Sequence, residues 1–496
     1  MVDIFAFFTS SHTTVLLCGA VLVLLWLLTR RPSGLPPGPP LLPFLGNALS
    51  MGSDPRITFK KLRQQYGDIF CLYMFNTPVI VLNGYSTLKD AFVKNADVFS
   101  DRPHSLISDF IAKGKGLGGT SGIVWREQRR FALNTLREFG AGRNIMEDKI
   151  HEEISQFLET LEAERGQEFD CKRQVHNAVS NVISSTVFGK RFEYSDPLFN
   201  KFMRAMEENF ANVGAAGVLN VLPVMRFLPG DPFKFKITMQ NVDTVISLFI
   251  KPMIKEHLQN QDDDNVDDFT HAYIKEMRLR NEKQEDTTMD MENLTMVITD
   301  LFVAGTETTA TTIRWTLAYL LNYPEIQERC FREIQENIGQ SRLPSMKDKT
   351  SLSYMEATIM EVLRRADIAP VALPHAVPHD VKFRGYTIPK ETIVMPMIVS
   401  VLQDPDVWGD PENFRPDRFL DDSGKVVKKD EFIPFSIGRR ACLGESMARM
   451  ELFLFLTTMI QRFKFVPVDG KMPSLDGIIG LTHSPRPFVM KAIPRV

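Results

Sequence analysis

The chain has 496 residues, 44% of them hydrophobic and 24% charged, with a formal net charge of −3. These values describe an ordinary folded protein. They exclude wholesale disorder, a collagen-like chain and a disulfide scaffold, and argue against nucleic-acid binding through bulk charge. The five cysteines (Cys18, Cys71, Cys171, Cys330 and Cys442) form no close pair, so a reducing compartment and at least one free thiol are expected.

In chain order, Val15 to Leu28 carries no polar side chain, and the uncharged stretch reaches back to about Phe5. That length can cross a bilayer as a tilted helix. No Lys or Arg precedes it, whereas Arg30 and Arg31 follow directly, which favours an uncleaved anchor (residues 4–29) with a cytoplasmic body over a cleaved signal peptide. The proline-rich run Leu35 to Pro40, within residues 30–47, reads as a stiff extended spacer. The body, residues 48–496, contains no internal repeat and no convincing second boundary.

Within the body a helix is expected from Ile57 to Gly67, then strands over Ile69–Phe75 and Val79–Leu82. A glycine-rich loop spans 101–123, and helices follow to about 365. The longest, Asp290 to Asn322, would measure roughly 50 Å and so should pass through the centre of the body. Prolines 370, 374, 378 and 389 mark an irregular, strand-like stretch; helix returns from Leu443 to Arg462. The acidic run 262–268 lacks the glycine of a calcium loop and reads as a solvated surface turn. The G-x-G-x-x-G match at 114–119 follows no buried strand, so a dinucleotide site is not expected. His375 and His379 are separated by helix-breaking prolines, so a zinc pair is not expected there.

The segment Phe435-Ser-Ile-Gly438-Arg439-Arg440-Ala-Cys442-Leu-Gly444-Glu delivers one cysteine to the start of an apolar helix. Helix amides and the arginines should favour thiolate over thiol, and Gly438 and Gly444 clear space for a flat group. Such a sulfur is either a nucleophile or a metal ligand, and Phe435 can shield one side of it. In the long helix, Ala304-Gly305-Thr306-Glu307-Thr308-Thr309 puts poor helix formers at the centre, where threonine hydroxyls bonding back to carbonyls loosen the turn. Asp300, one turn earlier, either binds a basic substrate nitrogen or hydrogen-bonds the 101–123 loop; the structural role is favoured.

The spacing F-x-x-G-x-R-x-C-x-G resembles the haem-ligand loop of the cytochrome P-450 monooxygenases, and the resemblance runs along the whole chain, most closely to their family-two branch. It implies a mainly α fold with small sheets, a single haem domain with a long central helix, and an N-terminal transmembrane helix. It implies haem b with Cys442 as axial thiolate, and propionate contacts from Trp125, Arg129, Arg102, His375 and Arg440. Ala304 and Gly305 would lie over the haem, with Phe435 and Gly438 also at the cofactor and Thr308 with Glu307 guiding protons to dioxygen. Glu361, Arg364 and Arg418 match the family's buried charge brace, with Asp417 replacing the commoner glutamate of that motif. The pocket walls would be Leu106, Ile107, Phe110, Asp300, Leu301, Ala304, Ala369, Val371, Ala372, Leu481 and Thr482, and the stretch 196–235 (Phe199, Phe202, Phe210, Val213) would face the membrane.

The implied reaction is NADPH-dependent oxygen insertion into a lipophilic fatty acid, steroid or foreign compound at the endoplasmic reticulum membrane. Electrons would come from NADPH–cytochrome reductase, with cytochrome b5 as a second candidate donor, docking on Arg126, Arg130, Arg137, Lys428, Lys429 and Arg439. No nucleic-acid partner is expected. An oxygen-independent haem-thiolate isomerase fits the Glu307-Thr308 pair poorly. A haem-binding sensor without turnover would leave that pair and the basic face unexplained.

Overall fold

The computed structural model describes residues 17–21, 23, 31–52, 54–139, 145–259 and 266–495, the side chain of Val213 excepted. The expected anchor therefore falls almost entirely outside the described residues. Among the described residues no helix is long and apolar enough to cross a membrane. The chain forms two compact units, one of residues up to Pro103 with Val371–Met397, the other of His104–Pro370 with Ile398–Val496.

The first unit is built on a four-stranded sheet. Helix α1 (Pro55–Tyr66) starts where Asp54 accepts from the Arg56 amide and stops at Gly67, whose φ is 87°. It leads into an antiparallel hairpin of β1 (Ile69–Met74) and β2 (Thr77–Leu82). β3 (His375–Ala376) and β4 (Ile393–Pro396) complete the order β1-β2-β4-β3, with β4 parallel to β2. The alternating Val/Ile run of β2 is buried from Val79 to Leu82, as a strand covered on both faces requires.

The proline-rich segment does not stand free as a spacer; it lies along β1. Pro37 O accepts from Cys71 N at 2.8 Å, and Asn47 Nδ2 donates to Pro40 O at 2.8 Å. Gly38 is required there, because a Cβ would sit 2.0 Å from Cys71 O.

The second unit is mainly helical. Its helices are α2 (Leu106–Ala112), α3 (Gly122–Arg137), α4 (Ile145–Ala163), α5 (Lys172–Phe188), α6 (Pro197–Gly217), α7 (Phe235–Asp243), α8 (Lys251–Gln259), α9 (Phe269–Glu282), α10 (Met291–Asn322), α11 (Pro324–Asn337), α12 (Ser353–Arg365) and α13 (Glu445–Arg462), with shorter turns between. A three-stranded sheet (Glu168–Phe169, Met490–Pro494, Phe463–Pro467) and a two-stranded one (Gly477–Ile479, His483–Pro485) flank them.

α10 is the 32-residue central helix. Asp290 caps it by accepting from Asn293 N, and it ends before Pro324, which supplies no amide to continue the ladder. From Ala310 to Leu321 every side chain is buried, as is nearly all of α5 beside it. A helix buried all round holds its place by packing rather than by an amphipathic stripe.

Two expectations are corrected here. Phe199 and Phe202 of α6 do not face a membrane: both are fully buried, in an aromatic cluster where Phe202 stacks on Phe249 at 4.1 Å and Phe192 on Phe199 at 5.3 Å. Aromatic burial of this size makes them core. The large apolar side chains left exposed in that region are Leu198, Val224, Phe227 and Leu228. The acidic run is not simply a solvated turn either. Residues 262–265 lie outside the described ones, but Asp268 is buried and caps α9, accepting from His271 N at 2.9 Å.

Candidate functional site

The cysteine loop is shaped by two residues with positive φ, Ser436 at 64° and Gly438 at 81°. The turn closes when Cys442 N donates to Phe435 O at 2.9 Å and Ala441 N to Gly438 O at 3.1 Å. Gly444 then caps α13, so the cysteine stands just ahead of a helix N-terminus, as its spacing predicts. Cys442 is exposed as a residue, although protein packs closely around its sulfur, whereas Cys71, Cys171 and Cys330 are buried.

Its acidity differs from expectation. Protein surrounding the sulfur desolvates it, and this outweighs the Gly444 amide and the Arg129 charge, so the thiol's pKa is raised. Helix amides and arginines alone do not make this cysteine a thiolate; a bound metal ion would, since a coordinating thiol is deprotonated outright.

Three of the expected cofactor residues gather around this loop. Trp125 is buried on α3, and the Arg440 guanidinium stacks over its ring at 3.8 Å. One turn along α3, Arg129 donates to Ala441 O, the residue beside the cysteine. Arg440 also donates to Leu117 O and Thr120 O, tying the glycine-rich loop to the cysteine loop. Arg449 of α13 packs over the Phe435 ring at 4.9 Å. Arg102 and His375 belong to the first unit and are neighbours there: Arg102 donates to Leu373 O and Pro374 O at 2.8 Å, and the His375 ring bonds Phe99 O through Nδ1.

On α10, Ala304 is exposed although the helix around it is largely buried. Thr308 Oγ1 donates to Ala304 O at 2.7 Å, and Thr312 Oγ1 to Thr308 O at 2.8 Å, which is the back-bonding that the threonine run predicts. Gly305, expected beside Ala304 on the cofactor side, turns its missing side chain the other way. A Cβ there would lie 2.5 Å from Ile183 Cδ1, so this glycine lets α5 approach α10.

Glu307 is held by a residue that sequence reasoning missed. Its Oε2 lies 3.0 Å from His176 Nε2, and its Oε1 accepts from Thr311 Oγ1 at 3.1 Å. Burial works to raise the carboxyl's pKa, but His176 and Thr311 together outweigh it, and the net shift is downward. Glu307 and His176 line a cavity of about 340 Å³ that also contains Lys172, Arg173, Arg204 and Glu207. His176 and Glu307 are 131 residues apart, and no local pattern marks the pair.

Asp300 accepts from Leu117 N at 2.6 Å and Gly118 N at 3.0 Å, and burial raises its pKa against those bonds. A Cβ on Gly116 would meet its Oδ2 at 2.6 Å. Gly116 of the G-x-G-x-x-G match thus makes room for this carboxylate, whereas Gly119 makes room for the Ser108 side chain. Glu361 and Arg364 of α12 are fully buried and doubly bonded at 2.8 and 2.9 Å, and Arg418 Nε reaches Glu361 Oε1 at 3.0 Å. Asp417 stays outside this triad and pairs with Arg329 at the surface.

The expected pocket walls differ in exposure. Leu106 and Ile107 on α2 and Leu301 on α10 are half-buried, Ala369 and Leu481 exposed, and Thr482 buried against Ser484. Phe110 is exposed, edge-on to Phe235 of α7 and under Arg226. Val371 and Ala372 belong to the first unit.

Comparison with known proteins decides the family. The model of the family described as Cytochrome P450 matches residues 36–492. The chain belongs to the cytochrome P450 family. Its relatives include human cytochrome P450 2U1, 38% identical over 96% of this chain and 93% of that one. Cytochrome P450 2D26 of Rattus norvegicus is 40% identical over 93% of both, and cytochrome P450 2J1 of Oryctolagus cuniculus 39% identical over 98% and 97%.

The chain is therefore a haem-thiolate monooxygenase of the family-two kind, acting on lipophilic compounds with electrons from a reductase. The donor chemistry of the second unit fits this P450's haem: one soft thiol on an exposed residue, two guanidinium groups packed beside it for carboxylates, and a small exposed residue, Ala304, on the central helix.

Proposed function

We propose that Cys442 would ligate the haem iron, that Trp125, Arg129 and Arg440 would hold the haem propionates, and that Phe435 and Gly438 would border the same group. The observation that carries this assignment is the exposed Cys442 with the Arg440–Trp125 stack and Arg129 fastened to the adjoining residue. When bound, the haem supplies the redox-active iron at which one oxygen atom of O2 is activated. The overall balance is RH + O2 + NADPH + H+ giving ROH + H2O + NADP+.

The chain's own residues manage protons and substrate. Glu307, ionised and open to the charged cavity, accepts a proton at a carboxylate oxygen from water there, with His176 holding it in place. Thr308 exchanges its bond to Ala304 O for one to water; its Oγ1 gives up its own proton and takes a replacement from that water, which Glu307 resupplies by releasing the proton it accepted. Ala304, Leu301, Leu106, Ile107, Ala369, Leu481 and Thr482 would give the substrate a mainly apolar surround. Glu361, Arg364 and Arg418 hold the scaffold without touching substrate.

The six basic residues proposed for reductase docking, Arg126, Arg130, Arg137, Lys428, Lys429 and Arg439, are all exposed, and cytochrome b5 would share that face. Residues 4–29 anchor the protein in the endoplasmic reticulum membrane, residues 30–47 join that anchor to the body, and residues 48–496 make the catalytic domain. The exposed Val224, Phe227 and Leu228 suit entry of a fatty acid, steroid or foreign compound from the lipid side.

The assignment is tested on Cys442→Ser in membranes. The reduced, carbon-monoxide-treated wild type should show the strongly red-shifted Soret band of a thiolate ligand, and the variant should lose it. An unchanged band in a haem-loaded variant would place the ligand elsewhere.

A further inference from the structure

Away from the haem loop, α8 and α9 bring two imidazoles onto one buried carboxylate. His257 Nε2 lies 3.1 Å from Asp268 Oδ2, and His271 Nδ1 lies 3.5 Å from the same oxygen. The rings meet edge to face with centroids 5.1 Å apart, and the three donor atoms all fall within 4.8 Å of one another. We propose that His257, Asp268 and His271 form a zinc site, separate from the haem centre, that fastens the end of α8 to the start of α9.

His257 Nδ1 is bonded to Met253 O at 2.8 Å, so its proton is on that nitrogen and the Nε2 lone pair of the neutral ring points at a carboxylate oxygen. Two electron-rich atoms at 3.1 Å need a cation between them, either a proton or a metal ion. A proton on Nε2 satisfies His257 alone. Burial opposes that protonation and the Asp268 carboxylate outweighs it, raising the imidazole's pKa.

His271 is left out of that arrangement. Its Nδ1 is beyond a good hydrogen bond from Asp268. A metal ion held by His257 Nε2, His271 Nδ1 and Asp268 Oδ2 satisfies those three facing atoms at once. Tetrahedral zinc, with bonds of roughly 2.0–2.1 Å, sets its ligands about 3.3 Å apart, which lies between the two observed separations. Two nitrogens and one oxygen suit zinc, whereas calcium and magnesium prefer all-oxygen shells.

The supporting contacts are in place. The Met253 carbonyl orients His257, and the His271 amide bonds Asp268 Oδ1 at 2.9 Å, leaving Oδ2 for the metal. A water molecule would fill the fourth position. One group opposes the ion: Lys149, bonded to Ser185 O and Asp267 O, is close enough for Asp268 to act on its charge.

The test uses the untagged, haem-loaded full chain in detergent, stripped with a chelator and dialysed against buffered micromolar zinc. Metal is counted by mass spectrometry. The wild type should keep one zinc per chain, as should His379→Gln, an exposed histidine elsewhere. His257→Gln and His271→Gln should each keep none while their haem spectra stay unchanged. Asp268→Asn, which retains the helix cap, should bind at least tenfold more weakly, and Lys149→Met more tightly. A wild type that retains no zinc, or histidine variants that retain as much as the wild type, would overturn the proposal.

Discussion

Glu361 and Glu307 are both drawn into the interior of the same unit, and their surroundings serve opposite ends. Glu361 is fully buried and takes four hydrogen bonds, from Arg364 Nε and Nη2, Arg418 Nε and the Arg415 amide. The two arginines in turn spend their remaining donors on the carbonyls of Leu402, Pro411 and Trp408. Such a network is satisfied on every side and has nothing left to give to a reaction. Glu307 has two partners, His176 and Thr311, and borders a cavity with charged walls. A carboxylate with spare lone pairs and a route to water can pass protons; one locked in an ion triad can only hold shape.

The largest effect should come from breaking the locked member. Glu361→Ala strands two buried guanidinium groups, costing about 3–5 kcal/mol. Little folded, haem-loaded protein should be recovered, as haem content and a denaturant midpoint would report. Thr308→Ala should do the reverse. Product formed per NADPH oxidised should fall roughly 10²-fold, with haem content and unfolding midpoint close to wild type, because only a back-bond to Ala304 O is lost. Equal loss of stability in both variants would erase the distinction drawn between the locked brace and the proton-handling turn of α10.

A third effect is smaller and depends on pH. The Glu307 carboxyl has a folded pKa below its ordinary value. Its contribution to stability is thus fully present above the ordinary glutamate pKa and is lost as pH falls through the folded one. The stability gap between wild type and Glu307→Gln should be constant near neutrality and shrink in acid, in parallel unfolding titrations. A gap that widens in acid would reverse the assigned direction. The smallest effect belongs to Asp417→Asn. Its pair with Arg329 is about half exposed on both sides, so stability should change by less than about 1 kcal/mol despite its place beside Arg418.

Local chemistry made much of this protein legible from its residues alone. The cysteine loop, the hairpin of β1 and β2, the capped central helix and the Glu361–Arg364 pair all depend on neighbours within a few positions, where spacing, capping and turn preferences act directly. The family follows from the same short-range signature. Whatever depends on segments far apart in the chain needed the tertiary structure. Phe199 and Phe202 carry the composition of a lipid-facing patch, and only packing against Phe249 and Phe302 makes them core. Nothing in the sequence shows what a Cβ added at Gly305 or Gly116 would meet, which is Ile183 at the first and Asp300 at the second.

The sequence also placed arginines near Cys442 without revealing that burial outweighs them and raises the thiol's pKa. His176 and the pair His257 and His271 carry no motif at all, because a histidine's role is set by what faces its ring nitrogens. Residue type and spacing therefore determined which chemistry this chain can perform. The long-range folding of α5 and α8–α10 decided which side chains stand where that chemistry can use them, since desolvation and hydrogen-bond pairing are properties of neighbours in space.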